Sequence, residues 1–215
     1  MPSRSDGIAV PTDAAAVAAR YRRIERPISA AVALAVASIA GAAVFLLPLL
    51  WALVVVLAVL AAVRFPLVRS GGTTTLATDA DPADVRADFE SACPPPLAFQ
   101  WGIADDIERS DDGWNYTITY LFGLRSTRLT VESRPTDDTA DLELVVTAGS
   151  RPWATYAVVI DADDDGQTTV EFTVDSDRRF GLRRLPQWFV ARRYREAALA
   201  AQGYSVVERT GGLSV

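Results

Sequence analysis

Between Ile28 and Val63 the chain carries 36 consecutive residues without a charge, nearly all Ala, Val, Leu or Ile. Runs of about 18 or more such residues mark segments that leave water. At about 1.5 Å per residue a single helix of this length reaches about 54 Å, well beyond a hydrocarbon core of about 30 Å. Proline removes a backbone donor and clashes with the preceding turn, so the natural break is Pro48. The run therefore predicts a transmembrane helical hairpin, with helices at about 27–47 and 49–68. Trp51, just after the break, suits a membrane interface.

The flanking charges favour the hairpin over a single tilted span. Arg20, Arg22, Arg23 and Arg26 precede the run, and Arg64 and Arg69 follow it. A hairpin sets all of them on one side, the cytoplasmic one by the positive-inside rule, whereas a single span divides them. The expected protein is multi-pass with two helices in the cytoplasmic membrane, with both termini cytoplasmic and membrane lipids as partners. The turn Leu46-Leu47-Pro48-Leu49-Leu50 offers no polar residue to the headgroups. A cleaved signal peptide does not fit, because the apolar region is about twice too long and starts late. Residues 12–26 read as a short helix capped by Thr12 or Asp13, with Val17, Tyr21 and Ile24 on one side and arginines on the other. It either lies on the inner membrane surface or is a helical extension that Pro27 stops.

Charge divides the chain at the same place. Residues 1–70 hold 7 Arg and 3 acids, a balance of +4, while residues 71–215 hold 14 Arg and 24 acids, a balance of −10. All 21 basic residues are arginine and 19 of the 27 acids are aspartate. This halophile-type bias speaks of solvent and not of mechanism. The downstream part reads as a separate acidic domain, 74–209, behind a hinge at 69–73 (Ser70-Gly71-Gly72) and before a tail at 210–215. Its negative charge argues against nucleic acid as a partner. The chain has no histidine, which removes the usual Ser/His/Asp and Cys/His machinery and histidine-ligated metals. The single Cys93 excludes an internal disulfide and a thiolate zinc cluster. No cofactor is implied, and no catalytic constellation can be named.

The acidic domain reads as α+β. Residues 72–78 (GTTTLAT) are β-prone. Asp81-Pro82 opens a helix to about Ala92, and Pro94-Pro95-Pro96 stops it. A meander follows, with Ile103–Arg109 first and then period-two alternation. Trp114, Tyr116, Ile118, Tyr120 and Phe122 share one face; then come Leu129 and Val131; then Leu142, Leu144 and Val146; and finally Val170, Phe172 and Val174. Residues 153–160 are apolar on both faces and so predict a central strand. About seven strands result. The chain closes with a helix over about 186–202, stopped at Gly203. Val190, Ala191, Tyr194, Ala197, Ala198 and Ala201 share the face that must cover the sheet. Those alanines leave room for close packing or for a cavity.

The order strand, helix, six-strand meander, long C-terminal helix resembles the START-like (SRPBCC, helix-grip) superfamily. The likeness is carried by TTTLATDADPADVRADFES and RLPQWFVARRYREAALAAQGY within residues 72–209. It implies a curved antiparallel sheet around the last helix, enclosing a cavity for lipids or other hydrophobic molecules. A second short helix usually follows the first in that superfamily, where this chain has CPPPLAFQWG. The expected function is binding of a lipid or other apolar small molecule beside the membrane. The alternative is a membrane-tethered interaction module with a solid core and an unknown protein partner. The pocket candidates are Trp114, Tyr116, Tyr120, Tyr156, Phe172 and Tyr194, for which core packing is the competing fate.

Three other clusters have ordinary readings beside functional ones. Asp161-Ala162-Asp163-Asp164-Asp165-Gly166 fits the first half of a calcium loop. Its twelfth position is Phe172, however, and its flanks are strands, so a hydrated hairpin turn competes. Asp105, Asp106, Glu108, Asp111 and Asp112 offer paired carboxylates but surround an Asp-Gly turn. Residues 178–215 hold 8 Arg against 2 acids. They face either anionic headgroups or the domain's own aspartates, and the second reading is slightly favoured.

Overall fold

The computed structural model describes residues 8–64, 68–120, 124–136, 140–162, 166–176, 179–180, 185–211 and 213–214. Two helices come first, α1 (Thr12–Leu46) and α2 (Leu49–Arg64). The chain breaks where proline demands it. Leu47 turns extended (φ −114°, ψ 152°), as the residue before proline is driven to do, and its N–H donates to the Ala43 carbonyl at 3.0 Å. The two helices pack together, with Ala43 and Ala52 buried.

This pair corrects the expected membrane hairpin, since no helix among the described residues is long and apolar enough to cross a membrane. Helix α2 has 16 residues, about 24 Å, short of the roughly 20 that a span needs. Helix α1 does not begin at 27. It is one helix of 35 residues with Pro27 inside it, and its first half carries Arg20, Arg22 and Arg23. That half lies on the protein itself: Ala14 and Ala18 are fully buried, and α1 packs on the last helix and on a short helix near Trp101. The membrane anchor, the multi-pass placement and the cytoplasmic termini are withdrawn with the spans.

The remaining elements are β1 (Val68–Ser70), β2 (Gly72–Thr78), α3 (Pro82–Glu90), a 3₁₀ turn (Pro95–Leu97) and α4 (Ala98–Trp101). The meander follows as β3 (Asp106–Ser110), β4 (Gly113–Tyr120), β5 (Arg125–Arg134), β6 (Leu142–Ala148), β7 (Arg151–Ala162) and β8 (Thr168–Asp175). After β9 (Arg179–Phe180) come α5 (Leu185–Ala200), β10 (Ser205–Thr210) and β11 (Leu213–Ser214). An antiparallel sheet of eight strands runs β10-β2-β8-β7-β6-β5-β4-β3, and β11-β1-β9 form a small second sheet. The expected count of about seven omitted β10, which extends the sheet beyond β2. Strand β7, apolar on both faces, is interior with β6 and β8 beside it.

Register builds one apolar face. Tyr116 pairs with Leu129, Val131 with Val146, Leu144 with Tyr156, Val158 with Phe172, and Val170 with Leu76. Val85 and Phe89 of α3, Leu97, Trp101 of α4, and Ala198 and Leu199 of α5 close over it. Polar tips inside the core find partners. Trp101 Nε1 donates to the Pro94 carbonyl at 2.9 Å, and the Tyr116 hydroxyl to the Ala92 carbonyl at 3.1 Å. Tyr204 packs edge-on against Phe89 (6.2 Å, 88°) and donates to Asp88 Oδ2 at 2.7 Å, locking α3 to the end of α5.

Candidate ligand cavity

A cavity of about 230 Å³ lies between the inner faces of β2, β8 and β7, the Pro95–Leu97 turn with α4, and α5. Two features of the sequence leave it open. Ala154 and Ala198 put methyl groups where larger side chains would reach across, and a 3₁₀ turn followed by one helical turn stands where CPPPLAFQWG lacked an obvious helix.

Part of the cavity lining is apolar. Tyr156 and Phe172 form it, with ring centroids 6.4 Å apart at 44°, and Trp153, Phe99 and Leu199 extend it. Phe99 is held from behind by Tyr21 of α1, stacked at 4.8 Å and 10°. Gly102 permits this approach, since a Cβ there would lie 2.7 Å from the Ala18 Cβ. Helix α1 thereby supports one wall of the cavity.

The rest of the lining is polar and cationic. Arg192 and Arg195 of α5 and Arg209 of β10 line it, with Gln100 and Thr74. Arg209 is 19% exposed; its Nε donates to Thr74 Oγ1 at 3.4 Å, and its Nη1 meets Glu196 Oε1 at 3.3 Å. Burial lowers the pKa of this guanidinium, Glu196 opposes the shift, and Arg195 and Arg192 add to it. The group stays charged. Burial also pushes the Tyr156 hydroxyl upward, and Arg195 partly offsets that. Gln100 Oε1 is buried with no hydrogen-bond partner among the described residues.

Of the six sequence candidates, the cavity brings together Tyr156 and Phe172. Tyr116 is fully buried as core. Trp114 is half-buried away from the cavity, its Nε1 bonded to the Glu90 carbonyl at 3.1 Å and its ring under the Arg109 guanidinium at 5.4 Å. Tyr120 is exposed, and Tyr194 faces Tyr21 at 5.8 Å. Asp163 and Asp165 of the calcium-loop motif lie outside the described residues, whereas Asp161 is exposed at the end of β7. Asp105 Oδ2 accepts the Thr119 N–H at 2.7 Å, a structural use, and Glu108, Asp111 and Asp112 are exposed. Arg178, Arg183 and Arg184 fall outside the described residues.

Sequence reasoning missed Gln100, Arg195 and Arg209 as cavity residues. Arg192 and Arg195 fall on the wheel's polar face, and their three-residue spacing was the available signal. Arg209 had none. A bulge between Val206 and Glu208 interrupts the alternation that would have revealed β10.

No protein-family model matches the chain, and no curated protein matches it. Among solved structures it is similar to a conserved protein from Geobacillus kaustophilus, with 10% identity, 61% of this chain and 91% of that chain covered, and a TM-score of 0.44. It is also similar to the protein XoxI from Bacillus cereus, with 11% identity, 62% and 93% covered, and a TM-score of 0.40. Neither likeness bears on function at these values.

Proposed function

We propose that the chain is a binding protein for a lipid or other hydrophobic small molecule, held between the sheet and α5 in the manner of the START-like superfamily that its element order resembles. The observation that carries this reading is the cavity of about 230 Å³ with Tyr156 and Phe172 in its lining. Binding sites are typically concave, mostly apolar and supplied with a few polar groups, and this one has that composition. Its volume lies below the roughly 300–1,000 Å³ of sites for drug-sized ligands, which favours a small molecule or a single short chain. The second reading, an interaction module acting through a protein partner, needs a filled core at these positions.

Native mass spectrometry tests the proposal. The purified protein, offered a lipid extract, should retain a bound species of small mass, and Ala154→Trp should lose it by filling the space. A protein that retains nothing, or an Ala154→Trp variant that binds equally well, contradicts the reading.

A further inference from the structure

The cavity's lining has an apolar part and a cationic part, and the difference restricts what can occupy it. Tyr156 and Phe172 offer aromatic surface that water wets poorly, so an alkyl body gains by covering it. Beside that surface Arg195 and Arg209 bring their guanidinium groups to the same cavity, Arg209 paired with Glu196. Arginines crowd in this way at cost to one another unless an anion joins them. We propose that the ligand is an anionic amphiphile, with a carboxylate or phosphate monoester bound between Arg195 and Arg209 and a short alkyl body laid on Tyr156 and Phe172. This inference rests on the ligand-binding reading above and deepens it.

The geometry supports each part. Arg209 is anchored by Thr74 and Glu196, which fixes the direction of its remaining donors at modest entropic cost. Arg195, exposed on α5, lines the same cavity as Tyr156 and Arg209, and its charge lowers the pKa of both. Guanidinium forks suit carboxylate and phosphate oxygens alike, so the two headgroups share this recognition. Gln100 brings an amide whose buried oxygen has no hydrogen-bond partner among the described residues. An amide presents either N–H or C=O to such a group, according to which way it is turned. The negative balance of the rest of the domain sets this patch apart: the guanidinium cluster is a local exception to a surface that repels anions.

Isothermal titration of the full chain with decanoate, decyl phosphate and decanol, at one matched salt concentration, tests the inference. One of the two anions should bind at least about tenfold more tightly than decanol, as loss of a charge-assisted contact implies. Whichever anion binds more tightly identifies the headgroup. Arg195→Gln should cut that preference to about threefold or less while leaving decanol within twofold. Because Arg209 also ties β10 to β2, Arg195→Gln is the decisive variant, and Arg209→Gln is read only beside a melting curve. Decanol binding as tightly as both anions, or an anion preference that survives Arg195→Gln, overturns the inference and leaves the ligand-binding reading standing. If none of the three binds, that reading fails with it.

Discussion

The inner face of the sheet and the far half of the α1–α2 pair are built from the same kinds of side chain and end in opposite surroundings. Leu142, Leu144, Val158 and Val170 are fully buried, while Phe45 is 90% exposed and Leu49 83%. The contrast lies in pattern. The strands alternate apolar with polar residues, so each has one face to bury and a partner of matching register. The stretch from 28 to 63 has no polar side, and nothing in its periodicity selects one face for burial. High hydropathy marks a segment as poorly hydrated; periodicity determines which surface it can meet.

Four substitutions or titrations sharpen the contrast, and they descend in size. Phe89→Ala removes a fully buried ring between α3 and Tyr204 and should lower unfolding stability by about 3–5 kcal/mol in urea melts. A loss under about 1 kcal/mol would mean that α3 does not close the core as described.

Tyr21→Ala tests whether the first half of α1 belongs to the packed region. It removes the stack on Phe99 and the tilted contact with Tyr194, and should cost about 1–3 kcal/mol at about 0.5–1.5 per aromatic pair. The variant should also expose α4 to faster amide exchange, whereas unchanged exchange there would detach α1 from the cavity wall.

Burial holds the Tyr116 hydroxyl well above its ordinary range, chiefly by desolvation. The native state therefore keeps this proton after an unfolded tyrosine, near pH 10, has begun to lose its own. The contribution to stability is complete below about pH 10 and is lost as pH rises beyond it, at up to about 1.4 kcal/mol per pH unit. Urea midpoints measured from pH 9 to 11.5 should fall, and Tyr116→Phe should flatten the fall. A midpoint that rises over this interval would reverse the assigned sign.

Phe45→Ser is the smallest of the four. On an exposed site it should change stability by no more than about 0.5 kcal/mol, despite lying on the same helix as Tyr21. A cost comparable to that of Phe89→Ala would show the Phe45 ring to be buried against a partner.

Much of the sheet was legible because its signals are local. Period two in β4, β5, β6 and β8, the double-sided apolarity of β7, the Asp81-Pro82 helix start, the Pro48 break and the stop at Gly203 (φ +87°) each act within a few residues. What was not legible depends on partners far away in the chain. Pro27 was read as the boundary between a short helix and the apolar run, yet α1 runs through it, with the preceding turns packed on α4 and α5. Ala197 was assigned to the buried face of α5 and is exposed, while Leu199, assigned to neither face, is buried because α5 meets β10, α4 and α1 as well as the sheet. For the cavity, the aromatic row was half the answer. Alternation separated the two sides of each strand, but it could not tell which aromatic lies beneath an alanine of α5 and which beneath α3.

Under the proposed function, ligand recognition belongs to the cavity and not to the exposed apolar helices. Side-chain NMR of the full chain titrated with decanoate compares the two regions in one sample. The account expects saturable shifts at Tyr156, Phe172 and Leu199 with Leu49, Leu50 and Trp51 unmoved. Shifts confined to Leu49, Leu50 and Trp51, with Tyr156 and Phe172 silent, would contradict it.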